Sequence, residues 1–84
     1  MNMKKSTSIN TIVSQRLKFL RTEFHFTQEE ISKKLECTQV CYSHYEMGDR
    51  SVSISKLVKI AKLYRVSTDY ILGLTDERNP LLWK

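Results

Sequence analysis

The sequence predicts an all-α domain built from five short helices. Helix-capping residues recur along the chain, and apolar residues follow each of them at spacings of three and four. No stretch alternates with the two-residue period of a strand for long enough to favour one. With 84 residues, two glycines and one proline, the chain can form one small core and is poor in the residues of tight β-turns.

The first two helices are predicted from different signals. The first is predicted from an apolar stripe that comprises Ile9, Ile12, Val13, Leu17, Leu20 and Phe24. The second is predicted to begin at Thr27, which has the capping-box spacing with Glu30. Phe26 and Ile31 flank this cap at the positions of a hydrophobic staple. Since these signals agree, the start of the second helix is strongly predicted.

The third helix is predicted to begin after Thr38 and to end near Gly48, a residue type suited to the left-handed position that closes a helix. A helical wheel places Thr38, Tyr42 and Tyr45 on the side that faces the core. The other side carries uncharged residues, some apolar and some able to hydrogen-bond: Gln39, Val40, Ser43, His44 and Met47. Because a merely solvated face more often carries lysine and glutamate, this face is predicted to contact another molecule.

The last two helices are predicted from serine caps. Ser53 is predicted to cap the fourth helix. The core-facing residues of that helix are predicted to be Ile54, Leu57, Val58, Ala61 and Tyr64. The fifth helix is predicted to begin at Ser67, between the staple residues Val66 and Ile71, and to close at Gly73.

These elements divide the chain into a flexible segment 1–8, a folded domain 9–74 and a C-terminal tail 75–84. A dimer surface is predicted near the C-terminus, formed by Tyr70, Leu74, Leu81, Leu82 and Trp83. Alternatively, the last three of these residues fold back over the core.

The composition narrows the class of function. A formal net charge of +5 favours a polyanionic partner, although many small domains carry such a charge without binding nucleic acid. The chain has no secretory signal and no apolar run of membrane-spanning length, so a cytoplasmic location and reduced cysteines are expected. No glycine-rich phosphate loop, HExxH motif or acid–base pair is evident, and neither an enzyme nor a cofactor or small-molecule substrate is predicted.

The predicted third helix also carries residue types that can bind a metal ion. Cys37, Cys41 and His44 lie at i, i+4 and i+7, which would bring them to one side of an unbroken helix. However, Cys37 precedes the cap, and the other histidine, His25, lies in a different turn, so a fourth ligand is missing. No metal is predicted, and Cys41 is expected to be a half-buried thiol.

The second and third helices together have the pattern of a helix-turn-helix. Gln28 and Gln39 each follow a threonine cap, and a turn of about three residues separates the two helices. In such a motif the second helix enters the major groove of DNA while the first lies across the backbone. Glutamine can pair with adenine through two hydrogen bonds, and apolar groups can contact the thymine methyl.

Four motifs resemble those of the lambda-repressor-like helix-turn-helix proteins, also called the XRE or Cro type. They are RLKFLR (16–21), TQEEISKKL (27–35), TQVCYSHYEMGDR (38–50) and LVKIAKLYRVSTDYILG (57–73), the last followed by LT. The resemblance covers Val13 to Leu74. It implies a sequence-specific transcriptional regulator of double-stranded DNA, and a repressor that binds a palindromic operator as a homodimer. The alternative on the same fold is an antitoxin or adaptor that binds another protein.

The resemblance also implies roles for individual residues. The base-reading residues are expected to be Gln39, Val40, Ser43 and His44. The residues that contact the DNA backbone are expected to be Thr27, Gln28, Thr38, Arg50, Ser51 and Ser53. Arg21 and Glu46 are expected to form a partly buried ion pair.

Two residues depart from the family pattern. Glu36 stands where the family usually has glycine, so a left-handed backbone at this position would be strained. Val52 stands where the family often has proline, so the loop after the GDR turn is expected to be looser. Both departures concern turn geometry and neither removes an expected contact residue.

Overall fold

The computed structural model describes residues 8–78, and within them the chain forms helices and turns but no strand. The helices are α1 (Ile9–Glu23), α2 (Gln28–Lys34), α3 (Gln39–Met47), α4 (Ile54–Tyr64) and α5 (Thr68–Ile71). This confirms the predicted all-α fold of five helices. α3 packs on α1 and α2, whereas α5 packs on α1 and α4. Of the helices in this range, none has the length and apolarity to cross a lipid bilayer.

A serine or threonine caps the start of every helix. Each hydroxyl accepts a hydrogen bond from the backbone N–H three residues further on. The caps are Ser8, Thr27, Thr38, Ser53 and Ser67. The capping box of Thr27 and Glu30 is complete in both directions. Ser8, which the sequence placed in the flexible start, is the cap of α1; the rest of that segment, residues 1–7, lies outside the described residues.

The core combines aliphatic residues with tyrosine rings from all five helices. It contains Val13, Leu17, Leu20, Ile31, Leu35, Tyr42, Tyr45, Ile60, Ala61, Tyr64, Val66, Tyr70 and Ile71. The prediction was wrong for Ile54 and Val58, whose side chains are 80% and 37% exposed. The buried stripe of α4 runs through Ile60, Ala61 and Tyr64, with Leu57 partly buried beside it, and Val58 is rotated away from this stripe. Ile54 lies in the first turn, beyond the neighbouring helices.

The beginning and end of α1 are also more exposed than its stripe suggests. Ile9 is 56% exposed and Phe24 is 42% exposed. Ile9 is the first residue of the helix, where no neighbouring helix covers it. Phe24 lies at the other end, although its ring still contacts the edge of Tyr64 at a centroid distance of 4.9 Å.

Tyr70 is buried, so the prediction that it lies on a dimer surface was wrong. Its ring is 4% exposed because the guanidinium of Arg16 lies 4.2 Å from the ring centroid and that of Arg78 lies 5.3 Å from it. Arg78 also forms two hydrogen bonds with Glu23 on α1. The first residues after α5 are therefore fastened to α1. Leu74 is 71% exposed, and Leu81, Leu82 and Trp83 lie outside the described residues.

Glu36 ends α2 in the left-handed conformation, with φ of 60°. The amide of Cys37 then donates to Ser32 O at 3.0 Å and closes the helix end. The Glu36 carboxylate contacts Lys59 Nζ at 2.7 Å, which ties the turn to α4. The turn thus has the geometry for which the family uses glycine, while a side chain strains its backbone.

Glu36→Gly is expected to raise the melting temperature by a few degrees, because glycine adopts this φ without steric cost while the exposed ion pair contributes little. Thermal unfolding followed by circular dichroism checks this. Lys59→Ala, which removes only the ion pair, serves as the control and is expected to change the melting temperature very little. A lower melting temperature for Glu36→Gly would show that the side chain matters more than the backbone strain.

Candidate nucleic-acid interface

The structure gives α3 the orientation that the helical wheel predicts for its two tyrosines, but Thr38, which the wheel placed on the core side, is exposed as the cap. Tyr42 and Tyr45 point into the core and are 0% and 6% exposed. On the opposite side, Val40 and Met47 are 68% and 61% exposed. Of the predicted base-reading residues, Gln39 is also exposed, while Ser43 and His44 are half-buried. The four predicted base-reading residues therefore share one accessible face.

The polar side chains on this face differ in whether they already make hydrogen bonds within the protein. Ser43 Oγ donates to Val40 O at 3.0 Å, so its hydroxyl retains mainly acceptor capacity. Gln39 makes no side-chain hydrogen bond within residues 8–78, and its amide can both donate and accept. Gln39 is therefore the residue on this face best suited to a bidentate contact with a base edge.

The threonine caps place a glutamine at the first position of each helix in the motif. Thr27 Oγ1 accepts from the Glu30 amide at 3.0 Å, and Thr38 Oγ1 accepts from the Cys41 amide at 3.0 Å. Gln28 and Gln39 follow these caps directly. Each helix start also presents free backbone N–H groups, which favour a phosphate nearby.

Gln28 is held by a side chain of α3. Its Nε2 donates to Glu46 Oε1 at 3.1 Å, which leaves the second N–H of the amide for another acceptor. The phosphate contact expected of Gln28 remains a prediction, and this geometry restricts it to one donor. The hydrogen bond also connects the start of α2 to the last turn of α3.

Arg21 and Glu46 form the ion pair that fixes α3 against α1. Arg21 Nε lies 2.6 Å from Glu46 Oε2 and Nη2 lies 3.2 Å from Oε1, a two-point contact. Arg21 Nη1 also donates to Phe26 O at 2.9 Å, and Tyr42 donates to the same carboxylate at 2.5 Å. The two side chains are 15% and 5% exposed. One buried carboxylate thus joins α1, α2 and α3 at fixed mutual positions.

Burial raises the pKa of Glu46, but hydrogen bonds from Arg21, Tyr42 and Gln28 favour the carboxylate more strongly, and its pKa lies below the ordinary value. Burial and the hydrogen bond to this carboxylate both raise the pKa of Tyr42. Tyr42 therefore stays a neutral donor, and Glu46 stays a charged acceptor, at neutral pH.

Acid is expected to weaken the folded state through Glu46. Since its pKa is lower when folded, the pair stabilises the fold above the unfolded pKa, and this stabilisation disappears as the pH falls through the folded value. The melting temperature is expected to fall between about pH 6 and pH 3, and to fall less in Glu46→Gln, which has no titrating group there. Equal acid dependence of the two proteins would contradict this assignment.

The turn between α3 and α4 holds the remaining predicted backbone contacts. Arg50 is exposed and has no ion-pair partner within residues 8–78. Ser51 Oγ donates to Asn10 Oδ1 on α1 at 3.2 Å, and Ser53 Oγ accepts from the Lys56 amide as the cap of α4. Val52 packs partly against the core, so the turn is anchored without proline. Of the three polar residues, Arg50 is the one with a charged and exposed side chain, which makes it the best suited to bind a phosphate.

His44 has a partner that the sequence reading did not identify. Its Nδ1 lies 2.9 Å from Oδ1 of Asp49. Gly48, with φ of 81°, ends α3 and turns the chain back so that Asp49 reaches the last turn of the helix. The spacing of five residues gives no helical contact by itself, so the glycine in the motif is the signal that could have indicated it.

The cysteines and His44 do not form a metal site. In the part of the chain that the structure describes, no three histidine, cysteine or acidic side chains come together to hold a metal ion. Cys37 and Cys41 are free, half-buried thiols that pack against the core. Burial raises the pKa of the Cys37 thiol, whereas a hydrogen bond from Tyr45 lowers the pKa of the Cys41 thiol.

The chain matches known proteins over the same region. A family model described as helix-turn-helix matches residues 17–71, and the chain belongs to this family, in its XRE or lambda-repressor-like form. It is 42% identical over 66 residues to the uncharacterized HTH-type transcriptional regulator YobD of Bacillus subtilis (strain 168). The aligned region covers 79% of this chain and 59% of YobD.

Two further relatives carry similar descriptions. The chain is 39% identical over 61 residues to the HTH-type transcriptional regulator ImmR of Bacillus subtilis (strain 168), covering 73% of this chain and 48% of ImmR. It is 25% identical over 71 residues to the HTH-type transcriptional regulator DicA of Escherichia coli (strain K12), and the aligned region covers 84% of this chain and 53% of DicA. The chain thus spans about half the length of these curated relatives.

Proposed function

We propose that this protein is a sequence-specific regulator of transcription that binds double-stranded DNA through α3. The observation that carries the proposal is the accessible, uncharged face of α3, formed by Gln39, Val40, Ser43 and His44. The Arg21–Glu46 network fixes this helix relative to α1 and α2. A helix held in this way can enter the major groove, where side chains of this kind distinguish base pairs.

The backbone contacts in this proposal come from both sides of α3. The starts of α2 and α3 and the Arg50 side chain would bind phosphates and set the register of the helix in the groove. Thr27, Gln28 and Thr38 lie at the helix starts, and Ser51 and Ser53 lie beside Arg50 in the following turn. Such contacts position the protein without selecting a base sequence.

The finer form of the proposal is a cytoplasmic repressor that acts as a homodimer on a palindromic operator. One α3 helix spans only a few base pairs, so two copies about one helical turn apart would recognise a longer site. Repression would follow if the bound dimer blocks a promoter. The relatives' descriptions as HTH-type transcriptional regulators support the role in transcription.

Selection from a random pool of DNA duplexes tests the proposal directly. The 84-residue chain is expected to enrich one short sequence, and a dimer is expected to enrich it as two inverted copies with a fixed spacing. A single enriched copy would keep the DNA-binding proposal but contradict the palindrome. If no sequence is enriched at low salt, the protein is not a sequence-specific DNA-binding protein.

Arg50→Ala is expected to weaken binding to all DNA sequences by a similar factor. Because the side chain is proposed to bind a phosphate, its loss should also reduce the slope of log affinity against log salt by about 1. Fluorescence anisotropy at several salt concentrations measures both effects. Lys62→Ala, which removes an exposed charge at the far end of α4, is the matched control and should leave the slope nearly unchanged. An unchanged slope in Arg50→Ala would refute the phosphate contact.

A protein-binding role is the second candidate. The exposure of Val40 and Met47 on α3 is the observation that favours it, since apolar side chains at a protein interface gain from burial. In this form the chain would be an antitoxin or adaptor whose partner covers α3. DNA binding that is unaffected by changes on the α3 face would favour this candidate.

A further inference from the structure

The contact between His44 and Asp49 places a charged group at the edge of the surface that we assign to DNA. Nδ1 of His44 and Oδ1 of Asp49 are 2.9 Å apart. The two side chains are 33% and 57% exposed, so both can be reached from the outward face of α3. Gly48 brings Asp49 to this position by ending the helix with a positive φ of 81°.

The carboxylate determines which nitrogen of the imidazole carries the hydrogen. An ionised carboxylate can only accept hydrogen bonds, so the ring nitrogen that faces Asp49, Nδ1, must be the donor. In a neutral imidazole the other nitrogen, Nε2, then has a lone pair and no hydrogen. The free edge of the His44 ring therefore accepts a hydrogen bond and does not donate one.

The major groove presents both kinds of partner. The exocyclic amino groups of adenine and cytosine donate hydrogen bonds there, whereas guanine N7 and O6 and thymine O4 accept them. An imidazole that presents only a lone pair can accept a hydrogen bond from the amino group of adenine or cytosine. Against guanine N7 and O6 or thymine O4, its lone pair faces another lone pair, which is unfavourable. The tautomer of a histidine on this face therefore affects which base it selects.

We propose that Asp49 is a specificity-determining residue that acts through His44. By fixing the tautomer with Nε2 unprotonated, it makes His44 favour adenine or cytosine over guanine or thymine, on the strand that the ring faces, at one position of the DNA site. Asp49 acts as a positioning residue and does not itself contact a base. This inference rests on the proposed function and adds the kind of base that one residue reads.

Base preferences of four proteins test the inference: the unchanged chain, Asp49→Ala, Asp49→Asn and His44→Ala. Each is selected against the random duplex pool at about pH 8. The unchanged chain is expected to prefer adenine or cytosine about tenfold at the position that His44→Ala alters. In Asp49→Ala the preference there is expected to fall below about twofold, because Nε2 is no longer held without a hydrogen. Asp49→Asn is expected to lose part of it, since its amide can donate to Nδ1 as well as accept from it.

The double variant His44→Ala/Asp49→Ala separates positioning from simple charge repulsion. If Asp49 acts through His44, removing it from His44→Ala leaves the base preferences of that variant unchanged. If Asp49 only repels phosphates, Asp49→Ala raises the affinity for all sequences equally and leaves every base preference intact, which overturns the inference. A preference for guanine or thymine at the base position that His44 reads, in the unchanged chain, also overturns the inference. Failure of the unchanged chain to enrich any sequence refutes the proposed function itself.

Discussion

Arg21→Ala is expected to lower the free energy of unfolding by about 3–5 kcal/mol, because it leaves the Glu46 carboxylate buried without its cation. The Glu46 side chain is only 5% exposed, so water cannot replace the lost guanidinium. Tyr42 and Gln28 still donate to the carboxylate, but neither carries a charge. For a domain of this size such a loss lowers the melting temperature by more than about 10 °C. Thermal and urea unfolding followed by circular dichroism measure the effect.

Two further variants show whether the burial of the charge is the cause. Lys33→Ala removes an exposed ion pair with Glu29, whose partners are 77% and 67% exposed, and is expected to cost less than about 1 kcal/mol. Arg21→Ala/Glu46→Gln removes both charges and is expected to recover part of the stability that Arg21→Ala loses. If Arg21→Ala costs no more than Lys33→Ala, the pair does not hold α1 and α3 together.

Gln39→Ala is expected to reduce discrimination at one base position by about 1–3 kcal/mol, the contribution of a bidentate glutamine contact. Gln39 is exposed and makes no side-chain hydrogen bond within the described part of the chain, so thermal stability should hardly change. Affinities for the selected site and for its single-base variants give the effect position by position. The loss should appear at one base pair and leave the others as they were.

Met47→Ala is the matched control for Gln39→Ala. Met47 is 61% exposed on the same side of α3 but at its other end, and no base contact is assigned to it. It is expected to change the base preferences little. If Gln39→Ala instead weakens binding to all sequences equally, Gln39 contacts the DNA backbone and the reading surface has to be reassigned.

The sequence was sufficient to predict the starts of α2, α3, α4 and α5, because capping depends on local chemistry. A threonine followed by glutamate three residues later satisfies backbone N–H groups within one turn, whatever packs around it. The left-handed end at Gly48 was predicted from its residue type, whereas a left-handed Glu36 was considered only because the resembling family has glycine there. The fold class followed from these signals and from the apolar spacing.

The structure differs from the prediction where burial depends on distant parts of the chain. Val58 lies next to the buried stripe of α4 in sequence but faces solvent, since the rotation of α4 is set by the helices on which it packs. Tyr70 was expected on a surface because nothing local indicates that Arg16 and Arg78 cover its ring. The apolar spacing of a helix predicts which residues form its buried stripe only to within about one residue at each edge of the stripe.

The candidate site shows the same division between local and distant contacts. The accessible face of α3 could be predicted from a helical wheel, because Tyr42 and Tyr45 fix its orientation. The Asp49 contact with His44 was not predicted, since it depends on the direction in which the chain leaves Gly48, and that glycine is the only local sign of it. The hydrogen bond from Gln28 to Glu46 was likewise absent from the prediction, although both residues were singled out.

The central claim is that the α3 face reads DNA, and a comparison of affinities at increasing salt tests it most directly. The 84-residue chain is titrated onto its selected duplex and onto a shuffled duplex of the same composition. We predict tighter binding to the selected duplex at every salt concentration, and a decline for both with a slope near −0.9 for each phosphate neutralised. Equal affinity for the two duplexes, or no binding to either at low salt, would contradict the claim.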